Sequence, residues 1–254
     1  MHHIDLVELY NTASKHSNYQ TLARPLQAYL QQDNLKITSR YEIERLNYIL
    51  ANCPVSNKVV ADIGGNTGFF TLESAVHGAS FVSYFEGNKA HAEFVSESVK
   101  VLHLEKVIAV STDYLNFRDD FSFQVDVCFL LNVLHHIGDD YGDSAILRNE
   151  AKKEILNSLS YMSRKAKVLI FQLGFNWKGD RNSGLFEHGT KAELIEFIRN
   201  GTVNDWEMLN IGIAQKSKDD IEYVELNEVN ILRDDSLGEF LNRPLFIMQS
   251  KLLK

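Results

Sequence analysis

Short apolar runs alternate with longer amphipathic stretches along this chain, the spacing of a sheet whose strands are joined by helices. The clearest case is Val59-Val60-Ala61-Asp62-Ile63-Gly64-Gly65-Asn66-Thr67-Gly68. A short apolar run there meets one carboxylate and a small-residue turn. Phe69, Leu72, Ala75 and Val76 then follow helical spacing, so a helix starts behind the turn. Further strands are expected over 80–85, 107–110, 126–136 and 167–173, with a helix from Ala145 to Met162. Thr190 with Glu193 forms a capping box ahead of Leu194, Phe197 and Ile198, and Asn200-Gly201 ends that helix. The last two strands are expected over 206–214 and 245–253. Between them, 216–243 is polar and too long for a hairpin turn, and its pattern does not place an element.

The chain up to about Cys53 reads as helical. Ser39 and Glu42 make a capping box ahead of Ile43, Leu46, Ile49 and Leu50, and Pro25 suits the first turn of a helix carrying Leu26, Tyr29 and Leu30. Tyr10, Lys15, His16, Tyr19 and Gln20 form a polar–aromatic cluster before it. A helix packed on the sheet edge explains this segment, and a lid over a bound ligand is the sharper alternative.

Composition narrows the function classes. The 254 residues are 44% apolar and 24% charged, ordinary for a globular α/β domain with a small addition. A net charge of −8 argues against a general nucleic-acid binder, which needs a basic face. Cys53 and Cys128 form no disulfide framework, which fits a reducing cytoplasm. Neither a signal peptide nor an apolar run of membrane-spanning length is visible.

The glycine turn does not have the G-x-G-x-x-G spacing of a dinucleotide site. Its order is D-x-G-x-N-x-G, with a carboxylate two residues before the first glycine, which suits a cationic ligand better than a diphosphate. In this it resembles the class I S-adenosylmethionine-dependent methyltransferases, whose first motif reads roughly E/D-x-G-x-G-x-G. Asn66 stands at the middle glycine and tolerates left-handed backbone angles. Glu86 ends the next strand about 20 residues on, where an acid can bind ribose hydroxyls. The resemblance runs from about Asn57 to Leu173. It implies S-adenosyl-L-methionine as cofactor, held by Asp62, Gly64, Gly65, Asn66, Gly68, Phe69, Glu86 and Gly87, with Asp113 at the adenine amine and Asn132 lining the pocket. It also implies an α/β, Rossmann-like fold with a seven-stranded, mostly parallel sheet and an antiparallel carboxyl-terminal strand. The final two strands would then finish the sheet as a hairpin. Residues 1–53 would form the amino-terminal extension and 54–254 the catalytic domain.

The fourth strand ends in Asn132-Val133-Leu134-His135-His136, where the family places residues beside the transferable methyl. A hydroxyl acceptor needs a base, and an imidazole titrating near neutral pH suits that task. His135 and His136 are the catalytic candidates, His135 ahead of His136, with a packed ring and a cap partner as the plainer explanation. Trp177, Arg181 and His188, in and just after the turn-rich loop that leaves the fifth strand, are candidates for acceptor contacts, together with Tyr19. Asp139, Asp140 and Asp143 read as a solvated helix start, and no metal is expected.

The expected activity is O-methylation of a small molecule or glycan precursor. His135-His136-Ile137 and Arg243-Pro244-Leu245-Phe246-Ile247-Met248 are similar to the methyltransferase portion of bacterial enzymes that cap O-antigen polysaccharides. An RNA methyltransferase and a non-catalytic cofactor-binding regulator are the alternatives. The pattern leaves room for a homodimer that covers the open sheet edge.

Overall fold

The computed structural model describes residues 6–12, 16–30, 35, 37–113, 117, 124–218 and 220–253. In chain order the elements are α1 (Leu6–Asn11), α2 (Arg24–Gln27), α3 (Glu42–Asn52), β1 (Val59–Ile63), α4 (Phe69–Val76), β2 (Phe81–Phe85), α5 (Lys89–Val101), β3 (Ile108–Ser111) and β4 (Val125–Leu131). They continue with α6 (Arg148–Met162), β5 (Ala166–Gln172), α7 (Lys191–Thr202), β6 (Trp206–Ser217), β7 (Asp220–Glu225), α8 (Gly238–Leu241) and β8 (Leu245–Ser250). Strand order is β3-β2-β1-β4-β5-β8-β6-β7. The chain folds as an α/β protein of the expected class. None of its described helices is long and apolar enough to cross a membrane.

Two compact units share these elements: Met1–Leu46, Pro54–Leu115 and Val125–Phe129 in one, Asn47–Cys53, Asn116–Gln124 and Leu130–Lys254 in the other. In the first, β1 and β2 run parallel with Asp62 opposite Tyr84, and β2 and β3 run parallel with Phe85 opposite Ser111. Val60, Ala61, Phe69, Leu72, Val82, Tyr84, Phe94 and Phe129 are buried, and the Phe70 and Phe129 rings stack at 5.5 Å. Strand β1 is the continuous buried run that a parallel strand covered on both faces needs, which is why it was readable, whereas β2 and β3 are partly exposed.

The second unit holds the antiparallel part. Strand β8 pairs antiparallel with both β5 and β6, and β6 pairs antiparallel with β7. The two expected final strands are therefore neighbours, but β8 lies inside and an eighth strand, β7, forms the edge. Strand β7 falls in the segment whose pattern placed no element. Its residues Asp220, Glu222 and Glu225 carry charge along the edge, which blunts pairing with another chain and also hides the strand from a hydropathy reading.

Helix starts divide into those that match and those that shift. The Thr190–Glu193 box is present: Thr190 Oγ1 accepts the Glu193 N–H at 3.2 Å, and Glu193 Oε2 accepts the Thr190 N–H at 3.1 Å. Helix α7 then runs one residue past Gly201, and α6 starts at Arg148 rather than Ala145. The Ser39–Glu42 box takes another form. Tyr41 has a left-handed backbone (φ 58°), so α3 begins at Glu42, which becomes a fully buried acceptor. Its carboxylate takes the N–H groups of Arg40 and Thr21, the Ser39 hydroxyl and the Arg45 guanidinium. The helix expected around Pro25 is a single turn, with Pro25 in its first turn.

Candidate functional site

In the first unit the glycine turn leaves β1 and enters α4. Gly64 and Gly68 have positive φ (69° and 78°), and Asn66, at φ 52°, adopts the left-handed backbone its side chain tolerates. Gly65 is required by space: a Cβ there would lie 2.6 Å from Cε2 of Tyr84 and 2.8 Å from Oδ2 of Asp62. The Tyr84 hydroxyl donates to the Asn66 carbonyl, which ties the turn to β2.

Two carboxylates sit in this turn. Asp62 is buried and accepts the Thr71 hydroxyl at 2.7 Å. Glu86, also buried, accepts the Asn66 N–H at 2.9 Å and the Asn88 N–H at 2.8 Å. Burial pushes the Asp62 carboxyl up to about 7; the Thr71 bond works against this and the charge of Glu86 adds to it. Gly87 follows Glu86, half-buried, and Phe69 is buried in the first turn of α4. Asp113 is exposed just beyond β3.

The amino-terminal segment reaches the same turn. Oε1 of Gln20 accepts from the Phe69 N–H at 3.1 Å and from the Thr67 hydroxyl at 3.2 Å, and Nδ2 of Asn66 donates to the His16 carbonyl at 3.1 Å. Tyr19 is exposed, with the Arg40 guanidinium 4.6 Å from its ring centre. Lys15 lies outside the described residues.

In the second unit, the segment leaving β4 and the loop leaving β5 interlock. Leu134–His136 form one 3-10 turn. His135 is buried, its Nδ1 accepts the Gly174 N–H at 3.2 Å, and a Cβ on Gly174 would lie 2.8 Å from its ring. That fixes the proton of neutral His135 on Nε2. His136 is half-buried, with Nδ1 3.2 Å from a carboxylate oxygen of Asp140 and its ring 4.2 Å from that of His135. Asp140 therefore sits beside an imidazole rather than in the first turn of α6. Trp177, half-buried, donates its indole N–H to the Ile137 carbonyl at 3.1 Å, and Lys178 Nζ bonds the Ser144 carbonyl while lying 4.7 Å from the indole ring. Arg181 and His188 are exposed; the His188 N–H meets the Glu193 carboxylate at the start of α7.

Asn132, with a left-handed backbone (φ 61°), is held by Gln172 and by Arg243, which the sequence singled out only within a resemblance and not as a partner of Asn132. Its Nδ2 donates to Gln172 Oε1 at 2.9 Å and its Oδ1 accepts from Arg243 at 2.8 Å. Arg243 also pairs with Glu239 through two nitrogens, and Glu239 accepts the Phe175 N–H at 3.1 Å. Gln172 closes the set by donating to the Arg243 carbonyl. Besides the resemblance that includes Arg243, the signals for these partners were a polar residue ending an apolar strand and an arginine just before another.

No family model matches the chain, and no curated protein does. Solved structures do. The bifunctional kinase-methyltransferase WbdD aligns with a TM-score of 0.59 at 14% identity, covering 97% of this chain and 46% of that one. The chain thus spans about half the length of WbdD. A Listeria monocytogenes protein assigned as an S-adenosylmethionine-dependent methyltransferase aligns at 0.53 and 13% identity, covering 83% and 96%. A Pyrococcus horikoshii protein assigned as an RNA methyltransferase aligns at 0.47, too loosely to carry an argument. At these identities the likeness concerns fold alone: the chain has a Rossmann-like α/β fold that it shares with these solved structures.

Proposed function

We propose that this chain transfers a methyl group from S-adenosyl-L-methionine to an oxygen of a small molecule or glycan precursor. One observation carries the cofactor: two buried carboxylates, Asp62 and Glu86, share the turn, close enough for the charge of one to raise the other. A sulfonium-bearing, aminated ligand relieves that repulsion, whereas a dinucleotide pyrophosphate adds to it. Gly64, half-buried and at positive φ beside these carboxylates, leaves the backbone bare for close approach of a ligand, so the residues present fit the group. Glu86, aimed by two backbone N–H groups, is assigned to the ribose hydroxyls, and Asp113 to the adenine amine. When bound, the cofactor supplies an already activated methyl group for in-line displacement.

The chain's own task is then to orient the acceptor, exclude water and take a proton. His136 is the better base of the two histidines. Asp140 beside its Nδ1 stabilises the imidazolium that forms when the ring accepts a proton at Nε2. His135, with Nδ1 committed to the Gly174 N–H, acts by positioning the turn. The half-buried Trp177 and the O-antigen-enzyme resemblance of His135-His136-Ile137 support a sugar-containing acceptor.

The test is thermal shift and calorimetry with S-adenosylmethionine, S-adenosylhomocysteine and NAD. At about 100 times Kd, the two adenosyl ligands should add ~2.7 kcal/mol, and Glu86→Ala should abolish the effect. Stabilisation by NAD alone overturns the reading and makes the protein a dinucleotide enzyme. With an acceptor found, His136→Gln should lower kcat about 10²–10⁴-fold with S-adenosylhomocysteine affinity unchanged. Unchanged kcat sinks the base assignment.

A further inference from the structure

We infer that the side chains of Asn66 and Gln20 form a latch that holds segment 16–20 down on the glycine turn, so that segment and turn open together. The inference concerns the same turn as the methyl-donor reading but stands on contacts made without a ligand.

The carboxyl end of the segment is anchored in the first unit from two sides. On one side the Tyr10 hydroxyl donates to the Gln20 carbonyl at 2.6 Å, and the Tyr10 ring packs edge-on against Phe94 of α5 at 5.4 Å. On the other, the Arg24 N–H and guanidinium meet the fully buried Glu73 carboxylate. The stretch between is joined to the turn by three hydrogen bonds: His16 carbonyl to Asn66 Nδ2, and Gln20 Oε1 to the Phe69 N–H and the Thr67 hydroxyl. Gln20 thus caps a donor at the amino end of α4, where no side chain of the turn itself caps the helix.

The choice of residue at 66 points the same way. Its φ of 52° admits glycine at no cost and asparagine at little, and glycine would satisfy the backbone alone. What asparagine adds is an amide that reaches the His16 carbonyl with one end and accepts the Thr67 N–H with the other. The backbone of Asn66 meanwhile donates to Glu86 and accepts from Tyr84. One residue therefore joins the covering segment to the carboxylate assigned to the ligand. A ligand that pulls on Glu86 or shifts the turn must also strain or release the segment.

Asn66→Gly is the decisive variant, because glycine keeps the left-handed backbone while deleting the bond to the His16 carbonyl, together with the local one from the Thr67 N–H. Hydrogen exchange of the full chain without ligand reports through two amides: Phe69, which donates to Gln20, and Thr38, which donates to the Asn18 carbonyl. Asn66→Gly should speed exchange at Thr38 about tenfold, and Gln20→Ala should do so at Phe69 and Thr38. Amides of α4 from Leu72 onward should stay within about twofold. Unchanged Thr38 exchange in Asn66→Gly overturns the latch, as does an equal rise from Leu72 onward, which would mean general loosening. Adding S-adenosylhomocysteine separates the two readings: no change in exchange on its addition overturns the cofactor assignment, while the ligand-free difference still stands for the latch.

Discussion

The glycine turn of the first unit and the interlocked loops of the second are built from the same materials, yet they differ in how far apart those materials lie in the chain. Asn66 meets Glu86 across 20 positions, and Asp62 meets Thr71 across 9. Asn132 meets Arg243 across 111, and Gly174 meets His135 across 39. A site assembled within one strand–turn–helix unit is printed in the sequence as a motif. A site assembled from strand ends distant in sequence prints only isolated polar residues. The two also differ in charge. The turn concentrates like charge, Asp62 with Glu86, whereas the loops pair opposite charges, Arg243 with Glu239.

The largest effect that sharpens this contrast is the response of stability to pH. Asp62, raised to about 7 chiefly by burial, binds its proton more tightly folded than unfolded. Its stabilising contribution is present below about pH 4 and is lost as pH rises through about 7, on the order of 4 kcal/mol in all. His91, buried in the same unit, is lowered to about 4 by burial and then by His16, so it opposes the fold as pH falls from 6.5 towards 4. The two slopes oppose each other between pH 4 and 6.5. Asp62→Asn should unmask a stability that rises with pH in this range, and His91→Gln one that falls. Urea denaturation at several pH values measures both. Parallel curves for wild type and Asp62→Asn would mean the carboxyl is not perturbed by its site.

Next in size is Arg243→Ala, which breaks the loop side of the comparison. It strips the guanidinium from Glu239 and from Oδ1 of Asn132, leaving a largely buried arrangement short of its donor. We expect a loss of roughly 2–4 kcal/mol in urea denaturation, with Arg243→Lys in between because a point charge cannot reproduce the fork. A loss below about 0.5 kcal/mol would show that the network contributes little. These residues also mark the limit of what the sequence discloses. Strands β1 to β5 and the capping box of α7 were legible because apolar periodicity and local side-chain–backbone bonds are read within a few residues. The partners of Asn132 were not, because nothing near Gln172, Glu239 or Arg243 records which strand lies beside which. Strand β7 was hidden by the charges on its edge, and the start of α3 by a left-handed Tyr41 that no propensity signals.

The smallest effects come from paired glycine substitutions, one on each side. Gly65→Ala places a Cβ 2.6 Å from the fully buried Tyr84 ring, and Gly174→Ala places one 2.8 Å from the His135 ring. Neither position has a positive φ, so the cost is space alone. Each should lose about 1–3 kcal/mol. Their functional consequences should part, because Tyr84 is bonded to the Asn66 carbonyl and through that residue to Glu86, whereas the His135 ring bonds the Gly174 N–H. Gly65→Ala should therefore weaken S-adenosylhomocysteine binding beyond its effect on stability, and Gly174→Ala should leave that affinity within about twofold. Calorimetric titration of both variants, alongside their denaturation curves, decides it. Equal losses of affinity would mean that ligand binding senses general stability rather than the shape of the turn, and the acidic turn would lose its standing as the ligand's own site.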